Sequence, residues 1–458
     1  MSELLRSVGL DVGTTTTQLI VSELQVENRA SAFSVPEMEI TQRRICYRGG
    51  VHFTPLLDNA HVDGAAIRDL VAREYEKAGI TRQSVDTGAI IITGETSRKE
   101  NARTVLSALS EFAGEFVVAT AGPDLESILA AKGAGATVFS QSTGKTVLHM
   151  DIGGGTSNLA LITDGRIVQT GCLNVGGRLV KLDANGVITY CSPVLQGLWD
   201  CSPGQIPTPA DIQTLTDLLT KALEMAAGMR KCTPLLDHLL TREAASTWQI
   251  PKEPVTVSFS GGVADCIETV HPARAFGDIG PELGQAIAQS RLCQGAYRLG
   301  SETIRATVIG AGCHSAQLSG STVFHRKITF PLQNLPVIPF TFAEQEQSDL
   351  FQLITRRIQS KDAETVVLAF PGYPAPAYRQ VSALAEQICR GAGSKGIFIC
   401  LEGDMAKALG HCLCLHLPES TPCLCIDRVR LNEDSFLDIG APVGPALPVV
   451  VKTLILSH

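Results

Sequence analysis

Residues 147–163 read VLHMDIGGGTSNLALIT: an apolar run, an aspartate, a glycine-rich turn and a second β-prone run. Residues 8–22, VGLDVGTTTTQLIVS, carry the same features in the same order. Laying Asp151 on Asp11 puts Gly153 on Gly13, Thr156 on Thr16, Ser157 on Thr17 and Leu159 on Leu19, an offset of 140 residues without a gap. Each stretch predicts a strand–turn–strand hairpin. In each turn a glycine permits close backbone approach, and Thr14, Thr15 and Thr16, or Gly154, Gly155 and Thr156, offer N–H groups and hydroxyls to anionic oxygens. One such hairpin alone reads equally well as an ordinary β-turn. A pair repeated at domain length implies two similar halves facing each other. Two such loops can hold a polyphosphate from both sides. Asp11 and Asp151 would then share a Mg²⁺ that keeps several of its waters.

Composition sets the frame around these hairpins. At about 100–200 residues per domain, a chain of 458 residues suggests roughly three folding units. Its hydrophobic share is 44% against 18% charged, enough for a large core. The net charge of −8 argues against a dedicated nucleic-acid binder. No run of about 20 apolar residues is present to span a membrane. The opening MSELLRSVGLDVG lacks a signal-peptide pattern, its short apolar run being broken at Asp11, so a cytoplasmic protein is expected. The 14 scattered cysteines then read as free thiols.

With both hairpins in place, the sequence resembles the superfamily of actin, hexokinase and the DnaK-type chaperone ATPases. Asp11–Thr16 matches that superfamily's first phosphate loop and Asp151–Thr156 its second. Glu126 in GPDLESILAAKGAGA matches the first connecting helix, where an acidic residue stands near the metal's water shell. Ser260, Gly261 and Gly262, after VTVSF, match the adenosine loop, where missing Cβ atoms let a purine lie on the backbone. Gly310 and Gly312 match the second connecting segment, and Gly176 with Gly177 resembles the chaperones' glycine pair near the nucleotide. The resemblance implies an α/β chain with a duplicated actin-like ATPase fold of two facing lobes, residues 1–145 and 146–325. A smaller C-terminal α/β unit over 341–458 would follow them.

GAIIITGETSRKENAR, FSGGVADC and RATVIGAGCHSAQLSGST, with the segments above, narrow the resemblance to the ethanolamine ammonia-lyase reactivating factors. It implies ATP and Mg²⁺ as cofactors, with Asp11, Asp151 and Glu126 in catalytic roles. The partner would be ethanolamine ammonia-lyase, whose damaged cobalamin is released so that intact adenosylcobalamin can enter. The setting implied is the cytoplasm or a bacterial microcompartment, and a homodimer is admitted. A small-molecule kinase of the same superfold and an actin-like assembly protein are the rival readings.

Other features carry less. Glu95 in ITGET follows an apolar strand and either faces the cleft or sits in a plain turn. Gly144-Lys145-Thr146 ends like a P-loop, but position 139 is Phe and a strand follows. Gly391, Gly393 and Gly396 fit a dinucleotide spacing in reversed context. Asp-Ile-Gly recurs at 278 and 438 without a donor loop after it. Cys412 and Cys414, like Cys423 and Cys425, are spaced for one face of a strand but too closely for a common zinc knuckle. Arg43, Arg44 and Arg48 read as a solvated face. A segment near 28–75 reads as an insertion, FPLQNLPVIPF (330–340) as a boundary, and 211–229 as a helix.

Overall fold

The computed structural model describes residues 3–13, 16–29, 38–58, 61–93, 101, 105, 109, 117–120, 123–314, 317–319, 322–361, 365–393, 396–429, 431, 435–440, 442 and 446–453. Thr14, Thr15 and Glu95 lie outside the described residues.

The first sheet is built from β1 (Glu3–Val12), β2 (Thr16–Asn28), β3 (Met38–Arg48), β4 (His52–Phe53), β5 (Thr87–Ile92) and β6 (Val117–Thr120). Its order is β3-β2-β1-β5-β6, with β4 paired to β2. The second uses β7 (Val147–Ile152), β8 (Ser157–Thr163), β9 (Arg166–Leu173), β12 (Thr256–Ser260) and β13 (Tyr297–Leu299) in the order β13-β12-β7-β8-β9. Between them in sequence, β10 (Val180–Leu182) and β11 (Ile188–Cys191) form a separate hairpin. In each large sheet three antiparallel strands lead, and the first of them also pairs in parallel with a later strand. The repeat at the hairpins is thus a repeat of whole sheets. β7 is buried at every position and β1 at most of them, because both faces of a central strand are covered.

Helix α1 (Gly64–Ala78) starts where the Asp63 carboxylate accepts from Ala66 N–H, and ends at Gly79 in the left-handed conformation. Its face of Ile67, Leu70 and Val71 packs on the outer side of the first sheet. α2 (Pro123–Gly133) and α3 (Ala136–Thr143) lead to the second sheet. Over its far side lies α4 (Pro209–Ala226), opened by a capping box of Thr208 and Asp211. α5 (Ala306–His314) returns to the first sheet, packing on β1 and β2, whereas α2 packs on β7, β8 and β9. Each lobe therefore sends a helix to the other, and the two helices cross. A Cβ at Gly310 would lie 2.1 Å from Leu129 O, and one at Gly133 1.9 Å from Ala306 O. Only hydrogens fit there.

A third, eight-stranded sheet has the order β14-β21-β20-β16-β17-β18-β19-β15. Its strands are β14 (Gln317–Leu318), β15 (Phe324–Arg326), β16 (Leu332–Pro339), β17 (Val367–Phe370), β18 (Ile397–Leu401), β19 (Cys423–Ile426), β20 (Ser435–Ile439) and β21 (Pro448–Thr453). α6 (Leu350–Gln359), α7 (Tyr378–Ala392) and α8 (Ala406–Cys414) share a core with one face. The sheet meets the first lobe through β21 and β14, and Val450 joins that lobe's core.

Three expectations are corrected. FPLQNLPVIPF is no boundary: β16 occupies it, and the third sheet already begins at Gln317, before residue 341. The prolines are tolerated because β16 switches partners. Pro336 ends the ladder with β20 and Pro339 the ladder with β17. The segment 28–75 is no insertion either, since it supplies β3, β4 and α1. β3 is polar because it is an edge strand. There Arg44 pairs with Glu23, Arg48 with Glu302 at 2.8 Å, and Arg43 donates to Cys313 O at 2.9 Å. Cys412 and Cys414 lie on α8 rather than a strand, while Cys423 and Cys425 are buried on β19. Among the described residues no three His, Cys, Asp or Glu side chains are grouped to hold a metal, and no helix is long and apolar enough to cross a membrane.

The helix crossing is open to a direct check. Gly310→Ala should overpack it at a cost of about 1–3 kcal/mol, lowering the thermal unfolding midpoint by several degrees. Gly295→Ala, where a Cβ meets nothing within 4 Å, should stay within about 0.5 kcal/mol of the parent. Equal melting curves for the two variants would contradict the close crossing.

Candidate functional site

The two hairpins meet at a cavity of about 410 Å³ between the first and second sheets. Their turns close alike: Gly13 N–H donates to Thr16 O at 2.9 Å, and Gly153 N–H to Thr156 O at 2.9 Å. Asp11, Gly13 and Thr16 line the cavity from one side, and Asp151, Gly153, Gly154, Gly155 and Thr156 from the other. Glu126, Gly177, Gly261 and Gly262 also line it.

Four residues expected in contact with a nucleotide stand behind the wall instead. A Cβ at Gly176 would strike Gly154 O at 2.4 Å, so this glycine lets the second loop be backed closely. The backing is secured by Gly177 N–H and Arg178 N–H, which donate to Gly153 O and Gly154 O. Ser260 donates to Asp151 Oδ1. Gly310 and Gly312 serve the lobe crossing, Gly312 lying against Gly9 of β1. Gly261 has φ +89° and sits where a Cβ would lie 2.3 Å from Ile152 O, so glycine is required at that turn.

Both aspartates are held by hydroxyls from neighbouring elements. Thr93, just past β5, donates to Asp11 Oδ1 at 2.9 Å. Asp151 accepts from Ser260 at Oδ1 and from Thr307 at Oδ2, the latter at 3.4 Å. Burial pushes the Asp11 carboxyl up from 3.8 to about 7; the Thr93 bond opposes this and the charge of Asp151 adds to it. Burial likewise raises Asp151 to about 6, against the bonds from Ser260 and Thr307. His149, fully buried beneath Asp151, is pushed down to about 3 by burial and then by the charge of Arg298.

Reading the sequence missed several lining residues. Thr93 stands two positions before Glu95 in the same ITGET segment. Gln18 faces Asp11 across the β1–β2 ladder, as Asn158 faces Asp151 across β7–β8. The 140-residue offset also relates Gln18 to Asn158, so one further step of the alignment would have found the pair. Both carry a buried amide oxygen with no hydrogen-bond partner among the described residues. Asp278 forms no donor loop, yet it lines the cavity, where its carboxylate accepts from Gly280 N–H at 2.9 Å and Arg178 Nε at 3.2 Å. The Arg178 guanidinium lies 5.5 Å from the Phe53 ring of the other lobe. Phe53, His271 and Phe276 supply the aromatic part of the lining.

Mg²⁺ can be judged against this donor set. Asp11 and Asp151 are acceptors brought together from both lobes, and the unpartnered Gln18 Oε1 adds a neutral oxygen. A hard, partly hydrated cation fits such oxygens.

Two sheets of one topology, joined by crossed helices and each presenting an aspartate hairpin to a shared cleft, define an actin-like ATPase fold. A family model described as "Ethanolamine utilisation protein EutA" matches residues 3–457, and the chain belongs to that family. It is 37% identical over 474 aligned residues to a Salmonella typhimurium protein named ethanolamine ammonia-lyase reactivase EutA. It is 38% identical over 470 to the Escherichia coli protein of that name; each alignment covers 98% of both chains. Among solved structures, an Aquifex aeolicus Ppx/GppA family member is similar at TM-score 0.41 and 12% identity, covering 67% of this chain and 97% of that one.

The raised carboxyls predict a pH-dependent stability without nucleotide. An acid whose folded pKa exceeds its unfolded value binds more protons in the native state, so stability falls as pH rises between the two values. Asp11→Asn removes that loss. Its melting temperature should match the parent near pH 3, pull ahead between about pH 4 and 7, and keep a constant lead above that. Thermal melts across this range measure the difference, and a lead that shrinks as pH rises would exclude a costly buried carboxylate.

Proposed function

We propose that this protein is an ATP-dependent reactivating chaperone. It would release damaged cobalamin from inactivated ethanolamine ammonia-lyase so that intact adenosylcobalamin can bind. The observation that supports this most is the pair of matched hairpins facing one cavity in a chain whose relatives are named reactivases.

Thr16, Gly154, Gly155 and Thr156 bring backbone N–H groups and hydroxyls to the phosphates from the two lobes, while Gly13 and Gly153 close the turns and keep the backbone approachable. Thr14 and Thr15 complete the first loop in sequence. Asp11 and Asp151, with Gln18 Oε1, would hold Mg²⁺. When bound there, the ion neutralises phosphate charge. Glu126, half-buried on α2, orients water at the cavity wall. Gly261, Gly262 and the aromatic lining accept the base. Phosphoryl transfer asks mainly for positioning and charge neutralisation, and the cavity supplies groups for both.

The lobes close because one triphosphate is held by both loops. Loss of the γ-phosphate removes that link and favours a more open arrangement. A lyase surface that fits one arrangement better than the other is gripped or released as the populations shift. Turnover is accordingly slow without the lyase. The working site is the cytoplasm or a bacterial microcompartment, with a homodimer as one assembly state.

The test is recovery of a blocked enzyme. Ethanolamine ammonia-lyase inactivated with cyanocobalamin should regain deamination when given this protein, ATP, Mg²⁺ and fresh adenosylcobalamin. Recovery should drop to background with Asp11→Asn or Asp151→Asn, and with ATP omitted. Transfer of radiolabelled γ-phosphate to an organic alcohol, with no recovery of the lyase, would replace this reading with a kinase.

A further inference from the structure

Beneath Asp151 one face of the second sheet turns polar where the two strands are otherwise apolar. Val147, Leu148, Met150 and Ile152 of β7 are apolar and buried, as are Val257 and Phe259 of β12. Yet His149 and Asp151 share one face of β7, and Ser258 and Ser260 stand opposite them on β12 in the parallel register. His149, Ser258 and Ser260 are wholly buried, and Asp151 nearly so. Four polar side chains in such a place are costly unless each is satisfied. They are: Ser258 Oγ lies 3.2 Å from His149 Nδ1, Ser260 Oγ lies 2.9 Å from His149 Nε2, and Ser260 donates to Asp151 Oδ1.

Proton counting fixes the direction of this chain. An ionised carboxylate only accepts, so the single Ser260 proton must point at Asp151. Ser260 Oγ can then only accept from the ring, which puts a hydrogen on Nε2. A neutral imidazole has one N–H, so Nδ1 is left with its lone pair, and Ser258 must donate to it. Among the described residues no carboxylate is hydrogen-bonded to the ring. The charge that reaches it is that of Arg298, whose guanidinium lies over Phe139 at 4.6 Å.

We infer that His149 is a positioning residue for the reaction proposed above: held as its Nε2–H tautomer by Ser258, it keeps the Ser260 proton on Asp151 Oδ1. Asp151 Oδ2 is then the oxygen left for the ligand. Its bond from Thr307, a cavity-lining residue, is the looser one at 3.4 Å. The inference rests on the nucleotide reading of the cleft, but the tautomer itself does not. In physical terms the chain prevents rotation of Asp151 about its last torsion. It acts like the outer hydrogen bonds that orient ligands in metal sites, whose loss costs about ten- to a hundredfold in affinity or activity.

Two measurements test it. First, the full chain is labelled with ¹⁵N-histidine, and the His149 ring is assigned by its disappearance in His149→Asn. The expected spectrum shows a protonated Nε2 and an unprotonated, hydrogen-bond-accepting Nδ1; an Nδ1–H tautomer overturns the inference. Second, Ser258→Ala removes the donor to Nδ1 without touching the cavity. It should remove the hydrogen-bond shift of Nδ1, loosen the ring and lower kcat for Mg²⁺-dependent ATP hydrolysis about tenfold, with KM for ATP within about twofold. Ser258→Thr, which keeps the hydroxyl, should restore both. A Ser258→Ala protein with an altered Nδ1 signal and unchanged kcat also overturns the inference. If the parent chain neither binds nor hydrolyses ATP, the nucleotide reading fails on that count alone, and the ring spectrum still decides the direction of the hydrogen-bond chain.

Discussion

Two carboxylates from opposite lobes are brought to one cleft, and both are costly to keep ionised there. The rest of the structure manages that cost. Each aspartate ends a central strand, so its backbone is held by ladders on both sides. Each also accepts a hydroxyl from the direction of its parallel neighbour strand: Asp11 from Thr93 after β5, Asp151 from Ser260 at the end of β12. These bonds offset part of the desolvation while fixing the carboxylates in place. What remains would be offset by a ligand that brings positive charge into the cleft, as the proposed Mg²⁺ would.

A cleft between lobes is useful only if the lobes can move as bodies. Here the connection is a crossing of α2 and α5 at near-backbone distance, with glycines on both helices. Side chains at the contact would interlock and resist sliding, whereas bare backbone leaves a smooth surface. Each helix belongs by sequence to one half and packs on the sheet of the other. A change in cleft width is therefore felt at once in both sheets. The third sheet leans on the first lobe through β14 and β21, so it would travel with that lobe.

Buried polar groups are unequally distributed across the two halves. The second half places a histidine and two serines under its aspartate; at the matching places the first has Gly9 on β1 and Ala89 and Ile91 opposite on β5. The duplicated hairpins thus share their turn geometry while their supports differ. Such an asymmetry is what a site needs if one carboxylate is held rigidly and the other adjusts to the ligand.

Much of this was legible in the order of residues. Hairpins with glycine turns depend on local conformational limits, so Asp11, Asp151 and their loops could be read directly, and with them the duplicated sheets. The α/β character of the last third was readable too, since periodicity reports which face is covered. Other features depended on contacts made far along the chain. The prolines of 330–340 read as a break, and became a strand only because β16 changes partner where they fall. The polar strand β3 read as an insertion because an edge lacks the apolar pattern of a centre. Thr93, Arg178 and Asp278 carry no local signature, and Gly310 and Gly312 read as nucleotide contacts although their neighbours are backbone atoms of other elements. Local sterics and hydrophobic alternation are written in neighbouring residues; which side chains share a cavity is set by how distant elements pack, and that only the folded chain decides.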